Sequence, residues 1–293
     1  MLEKGNIFNK NDNNLGNQIY NIKLTDQQFR KLSTFLQKET GIKLPDVKKI
    51  MLQSRLYKRL RALGINSFDD YINYALKKGN EQEIINMIDV VSTNKTDFFR
   101  EPGHFDFLAN EFIPFLMKNE RSYHFKIWCA ASSSGEEPYT LAITCENAKK
   151  KFPGLNYSIL ATDISTQMLD NGRKGIYAAE KIAQLPMALK KEFFLRSVDQ
   201  KKPTVKVAPK LQAHIAWQRL NLMDDFYTTK DKFDLVICRN VLIYFERHIQ
   251  EQVINKLCRH LNPGGIFILG HSESIINMKV PLKQIKPTIY KLI

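Results

Sequence analysis

Residues 126 to 143, KIWCAASSSGEEPYTLAI, set three serines and a glycine between an apolar run ending at Ala130 and a segment opening with Glu136, Glu137 and Pro138. That is the outline of a strand, a tight turn and a helix start, where α/β proteins hold nucleotide-like ligands. A dinucleotide loop has three glycines there, and a phosphate loop has a lysine. This turn has Gly135 alone, no lysine, and two acids. Acids at a helix N-terminus repel a phosphate, so a dinucleotide is disfavoured. The chemistry left is recognition of a nucleoside that carries positive charge and no phosphate.

Three more polar clusters follow predicted strands. In LATDIS, Asp163 stands where an acid accepts hydrogen bonds from ribose hydroxyls. RLNLMDD places Asn221 and Leu222 after a strand, and FDLVICRNVLIYF opens into Arg239, Asn240 and then Tyr244. A fifth segment, VSTNKTDFFREPGHF, spaces Asn94, Thr96 and Arg100 among Phe98, Phe99 and Phe105. S-adenosylmethionine fits such a set: its sulfonium and amino groups are cationic, and it needs hydroxyl and adenine contacts. Taken singly, each acid also reads as a helix-start residue complementing a dipole or as a loop aspartate.

Alternation positions these clusters. Strands are expected at 125–130, 157–162, 214–219, 233–238, 265–269 and 288–292, with helical segments between several of them. Apolar strands separated by helices indicate a mainly parallel sheet covered on both faces. VDQKKPTVKVAPK interrupts the alternation, which predicts a small inserted β element over about 175–213. Residues 24 to 90 are helical in pattern. Thr25 and Asp26 can cap a first helix that stops at Gly41, and a second runs from Pro45 to Gly64. In the second, Leu52, Leu56, Leu60 and Leu63 share one face, while Lys48, Arg55 and Arg59, flanked by Lys58, form a row of cations on another. Two further helices complete a small bundle. The expected organisation is a polar tail over 1–20, a helical domain over 21–92 and an α/β domain over 93–293.

At 293 residues and a net charge of +14, the chain can bury two cores and carries its charge in patches. Residues 41–64 hold seven Lys/Arg against Asp46, and residues 173–219 hold eleven against three acids. Together these two windows carry the whole excess, so an acidic partner is implied. No apolar run reaches the length of a membrane helix, and residues 1–18 lack the apolar core of a signal peptide. Cys129, Cys145, Cys238 and Cys258 show no metal or disulfide spacing, so reduced core thiols, no metal and a cytoplasmic location are expected.

The stretches TNKTDFFRE, SSGEEPYTLAI, ATDIS, ICRNVLIYF and LNPGGIFILGHSES resemble the CheR family of chemotaxis methyltransferases, in that family's order. The resemblance spans roughly residues 24 to 293. It implies a Rossmann-like class I methyltransferase sheet with an inserted β-subdomain behind an all-α domain. It also implies methyl esterification of glutamate side chains on the cytoplasmic domains of chemoreceptors, with S-adenosyl-L-homocysteine as product. Carried over residue by residue, Asn94, Thr96, Arg100, Gly135, Glu136 or Glu137, Asp163, Asn221, Leu222, Arg239 and Asn240 line the cofactor pocket. Tyr244 is similar to the family tyrosine placed near the transferred methyl, and Arg100 and Tyr244 are expected to position the reacting groups. Lys48, Arg55, Lys58 and Arg59 form the receptor-docking row. The insertion segment RSVDQKKPTVKV has no glycine where tethering relatives have several, which weighs against a tether to a receptor tail.

A glutamate carboxylate, with an ordinary pKa of about 4.3, is already a nucleophile at neutral pH, so no catalytic base is required. The six histidines are scattered; His271, after a strand, is the one placed to matter. Two rival readings remain at this stage. One is an RNA or DNA methyltransferase drawn by the basic patches, although no nucleic-acid module is present. The other is a non-catalytic adaptor that binds the cofactor and signals by docking. Nothing in the chain demands more than a monomer.

Overall fold

The computed structural model describes residues 22–199 and 201–293. The expected tail over 1–20 lies outside them. Contacts divide the chain between Ser92 and Thr93 into two units.

The first unit is all helix: α1 (Asp26–Thr40), α2 (Lys49–Leu63), α3 (Phe68–Ala75) and α4 (Glu81–Val91). Thr25 accepts a hydrogen bond from the Gln28 amide while the Gln28 side chain accepts one from the Thr25 amide, so α1 starts on a capping box. Leu52, Leu56 and Leu60 are fully buried, as their spacing predicts, while Leu63 is only half-buried.

The row of cations is not the open row expected. Pro45 begins a 3-10 turn, Asp46–Lys48, so Lys48 precedes α2 rather than riding on it. The Arg55 guanidinium donates to the carbonyls of Val91 and Ser92. Arg59 grips Glu83 through two bonds of 3.0 and 2.6 Å, and Tyr71 adds a third at 2.9 Å. Glu83 is 2% exposed, and a buried carboxylate keeps its charge only with such partners. Arg55 and Arg59 therefore hold the bundle together, and of the expected row Lys48 and Lys58 are exposed.

The second unit is built on seven strands: β1 (Tyr123–Ala130), β2 (Leu155–Asp163), β6 (Ile215–Arg219), β7 (Phe233–Cys238), β8 (Leu261–Leu269), β9 (Leu282–Lys286) and β10 (Ile289–Leu292). Their order is β6-β2-β1-β7-β8-β10-β9, parallel except where β10 pairs antiparallel with β8 and β9. Every residue of β7 is buried, as a central parallel strand covered on both faces requires. Helices α5 (Gly103–Phe107), α6 (Ile113–Met117), α7 (Glu136–Lys149), α8 (Thr166–Lys174) and α11 (Arg247–Cys258) accompany the sheet, and a π-turn, Leu108–Phe112, joins α5 to α6. This is the mainly parallel sheet expected from the alternation of strands and helices. The expected insertion is present: β3 (Ile176–Ala178), β4 (Phe194–Arg196) and β5 (Thr204–Val207) form an antiparallel sheet ordered β3-β5-β4. Short helices α9 (Met187–Phe193) and α10 (Pro209–Gln212) flank β4 and β5. All four cysteines are buried and free.

Close approach of α8 to the sheet depends on Gly172. A Cβ there would lie 2.4 Å from the Trp217 ring, less than any real contact. Gly172→Ala is expected to lower stability by about 1–3 kcal/mol, the usual cost of overpacking, read as a lower urea midpoint at unchanged slope.

Candidate active site

The carboxyl ends of β1, β2, β6 and β7 carry most of the residues singled out by sequence. After β1 the chain turns through Ala131, Ser133 and Gly135, all at positive φ (70°, 48° and 99°). Gly135 must be glycine: an added Cβ would meet Trp217, the Gly172 Cα and the Tyr177 hydroxyl within 3 Å. Its close approach is therefore to α8 and the insertion. Asp163, at the end of β2, accepts from the Ser133 amide (2.8 Å) and the Ser165 amide (2.9 Å). The Ser133 hydroxyl donates to the Asn94 carbonyl, and Tyr177 donates to the Ser134 carbonyl. Lys181 donates to the Thr96 carbonyl and Asp97, and its ammonium lies 3.4 Å from Glu136. Asn94, Thr96, Glu136 and Asp163 thus surround one turn. Asn221 and Leu222 follow β6 beside it, since the Leu220 amide donates to the Asp163 carbonyl.

Phe98 anchors the preceding segment, packing edge-on against Tyr177 and Phe194. The linker reading holds for Phe98, which staples the segment to the insertion.

A second cluster gathers at the end of β7. The Arg239 side chain is fully buried and bonds Glu137 at 2.9 Å, Glu101 at 3.2 Å and the Arg100 carbonyl at 2.6 Å. Its guanidinium thus ties the loops after β1 and β7 to the segment carrying Arg100. Glu137 also accepts from the Cys129 thiol, which burial and then Glu137 itself push well up, so it stays protonated and donates. Glu136 is 1% exposed; burial raises its carboxyl, opposed by Ser134 and Lys181. Asn240, at φ 59°, donates to Glu101 (3.2 Å).

Sequence reasoning missed two acids here. Glu273 is buried and accepts the amides of Gly270, Asn240, Val241 and Leu242 at 2.7–3.0 Å. It thereby shapes the 3-10 turn Leu242–Tyr244, on which the half-buried Tyr244 sits. Glu101, at φ 57°, joins Arg239, Asn240 and the His271 amide. Burial raises its carboxyl, but Arg239 and these donors outweigh it and hold it below the ordinary value. A signal existed: GHSES ends a strand with an acid, and the glutamate of FFRE adjoins Arg100. Phe99, Glu101, Ala131, Ser133 and Asn240 account for five of the seven non-glycine residues at positive φ among the described residues. Strained backbone concentrated at strand ends is what a pre-organised site requires. Lys48, Arg55, Lys58 and Arg59 belong to the first unit.

His104 is 2% exposed, and burial followed by Arg239 lowers its pKa to about 4. Between that value and the ordinary value of about 6.5 the unfolded chain binds the proton and the folded chain does not, so stability rises with pH there. The His104 contribution is complete above about pH 6.5 and is lost as pH falls toward 4, at up to about 1.4 kcal/mol per unit. His104→Gln should flatten that part of the profile of unfolding midpoint against pH; an unchanged slope would show that His104 does not set it.

Comparison with known proteins bears on the whole chain. Residues 94–291 match the family described as CheR methyltransferase, SAM binding domain, and residues 27–92 match CheR methyltransferase, all-alpha domain. A chemotaxis protein methyltransferase of Borreliella burgdorferi is 37% identical over 92% of this chain and 96% of its own length. Its counterpart in Escherichia coli is 34% identical over 92% of both chains. Among solved structures, the N-methyltransferase NodS from Bradyrhizobium japonicum, in complex with S-adenosyl-L-homocysteine, is 12% identical at a TM-score of 0.35, covering 64% of this chain and 70% of that one. That likeness is too distant to carry an argument; the family matches are not, and the chain belongs to the CheR methyltransferase family.

Proposed function

We propose that the protein is a cytoplasmic protein-glutamate O-methyltransferase. It transfers the methyl of S-adenosyl-L-methionine to glutamate side chains on the cytoplasmic domains of chemoreceptors. The observation that carries this reading is the turn after β1. Its Ser133 amide is spent on Asp163 and its helix opens on two acids, so it has neither the donors nor the sign for a pyrophosphate. A cationic nucleoside suits it. In this reading Asp163 and Asn221-Leu222 hold the adenosine, while Gly135, Glu136 and Glu137 lie toward the methionine part. Asn94, Thr96 and Arg100 close over it, and Arg239 and Asn240 contribute through backbone and positioning.

The reaction is an in-line displacement. A glutamate oxygen forms a bond to the methyl carbon as the carbon–sulfur bond breaks, and the electron pair leaves with sulfur to give S-adenosyl-L-homocysteine. Anion and sulfonium neutralise each other, so a base and strong charge stabilisation are both unnecessary. Alignment is the main lever and can lower such barriers by roughly 7–11 kcal/mol. Tyr244, whose hydroxyl bonds to none of the described residues, and Arg100 are the groups we assign to it. The receptor side falls to the helical unit. Lys48 stands between Val47 and Ile50, which are 84% and 78% exposed, and such a mixed apolar and cationic surface suits an acidic protein partner better than a nucleic acid.

The test uses methyl-labelled cofactor and a chemoreceptor cytoplasmic fragment, followed by alkali. A carboxyl ester releases volatile methanol; label retained after alkali would mean methylation of a base or amine, and absence of label would mean an adaptor. Tyr244→Phe is expected to cut turnover at least about tenfold with cofactor affinity nearly unchanged, as for a group acting only in the transition state. Unaltered turnover would remove it from the mechanism. Reversing Lys48 and Lys58 to Glu should slow receptor methylation chiefly at low salt, with the difference fading above about 0.5 M where charges are screened. Equal rates at every salt concentration would deny the helical unit its docking role. Arg55 and Arg59 are unsuitable for this test, because their substitution also strips internal partners.

A further inference from the structure

Three groups beside the Arg239 cluster are arranged for a ligand that methyl transfer does not use. Glu101 Oε2 lies 3.7 Å from His104 Nδ1 and 3.9 Å from His271 Nε2, and one donor atom from each residue falls within 4.8 Å of the other two. Four ligands about 2.0–2.1 Å from a tetrahedral zinc stand about 3.3 Å apart, so the triangle must contract by no more than about 1.5 Å to close on an ion. His271, with a side chain 63% exposed, is free to make that adjustment.

His104 is set as a ligand by its own hydrogen bonds. The Thr288 hydroxyl donates to the Pro287 carbonyl, so at 2.7 Å from His104 Nε2 it must accept that ring proton. This fixes the tautomer and leaves Nδ1 as a bare lone pair. Nδ1 is buried, faces Glu101 and has no hydrogen-bond partner among the described residues. An orphaned acceptor of this kind is costly unless something occupies it. A histidine whose far nitrogen donates to a fixed oxygen is the usual arrangement around a bound metal, and Asn240 supplies the matching support to the other Glu101 oxygen.

Glu101, Glu137 and Glu273 converge on the loops around a single guanidinium, that of Arg239. When Glu101 turns toward an ion, Arg239 keeps Glu137 at 2.9 Å and the Arg100 carbonyl at 2.6 Å. We propose that Glu101, His104 and His271 bind one first-row dication of the zinc type. Two imidazoles and a carboxylate suit such an ion and suit calcium or magnesium poorly. The ion would tie the segment after Arg100 to the loop after β8, on either side of Asn240. Sequence spacing could not disclose the site, because His271 stands 170 residues from Glu101.

The experiment takes the untagged full-length protein, stripped with a chelator, and titrates it with Zn²⁺ by calorimetry and with Co²⁺ by absorption. Wild type is expected to bind one equivalent and to unfold at a higher temperature with Zn²⁺ present. Its Co²⁺ adduct should show d–d bands with no thiolate-to-cobalt band. His271→Ala, at an exposed position that spares the fold, should lose affinity by more than the 10- to 100-fold, roughly, that removal of a supporting partner costs. Three results would overturn the proposal: no saturable binding, unchanged affinity in His271→Ala, or a thiolate band placing the ion on a cysteine.

Discussion

A single buried guanidinium organises the chemistry-bearing end of this fold. Arg239 leaves the central strand β7 and reaches Glu137 at the start of α7, and on its other side it reaches Glu101 and the Arg100 carbonyl. None of its side chain is exposed. A buried ion pair adds little net stability against an apolar alternative, but deleting one partner leaves an uncompensated charge at a cost of about 3–5 kcal/mol. The arrangement is therefore best understood as fixing geometry. It locks the segment carrying Arg100 to two strand ends, so that residues far apart in sequence converge with little freedom left to lose on binding.

Around that anchor the loops satisfy one another in pairs. Asp163 takes the Ser133 amide, Glu273 takes four amides of the turns after β7 and β8, and Lys181 spans Thr96 and Glu136. Asp163 and Glu273 are thereby committed to holding backbone. This explains how non-glycine residues persist at positive φ at five positions here, since the surroundings over-determine them. It also explains why the turn after β1 offers no open nest of amides to a phosphate. In the proposed reading, two acids at the helix start favour a cationic nucleoside over a pyrophosphate at this edge of the sheet.

Much of this was legible in the sequence. A central strand buried on both faces is a continuous apolar run, so β7 could be read residue for residue, and β1 and β2 to within two residues at their ends. The edge strand β9 could not, because four of its five residues are exposed and LKQIK looks like a polar loop. The three-residue strands β3 and β4 are too short to show a period. Within the site, acids and strand ends were visible, but their internal partners were not: 102 residues separate Arg239 from Glu137. The same blindness misled the reading of α2. A row of Arg at helical spacing looks like a surface, yet Arg55 and Arg59 find Val91, Ser92 and Glu83 on or just after α4. Glu273 was findable only by asking which group satisfies the amides after Arg239, a question of hydrogen-bond accounting that spacing does not pose.

The central claim is that the carboxyl edge of this sheet seats a sulfonium nucleoside and refuses a pyrophosphate. Isothermal calorimetry on the folded protein tests it most directly, using S-adenosyl-L-methionine, S-adenosyl-L-homocysteine and NAD as three separate titrants. The account predicts saturable single-site heats for the first two and none for the third. Silence with both adenosyl compounds, or binding of NAD in their place, would contradict it.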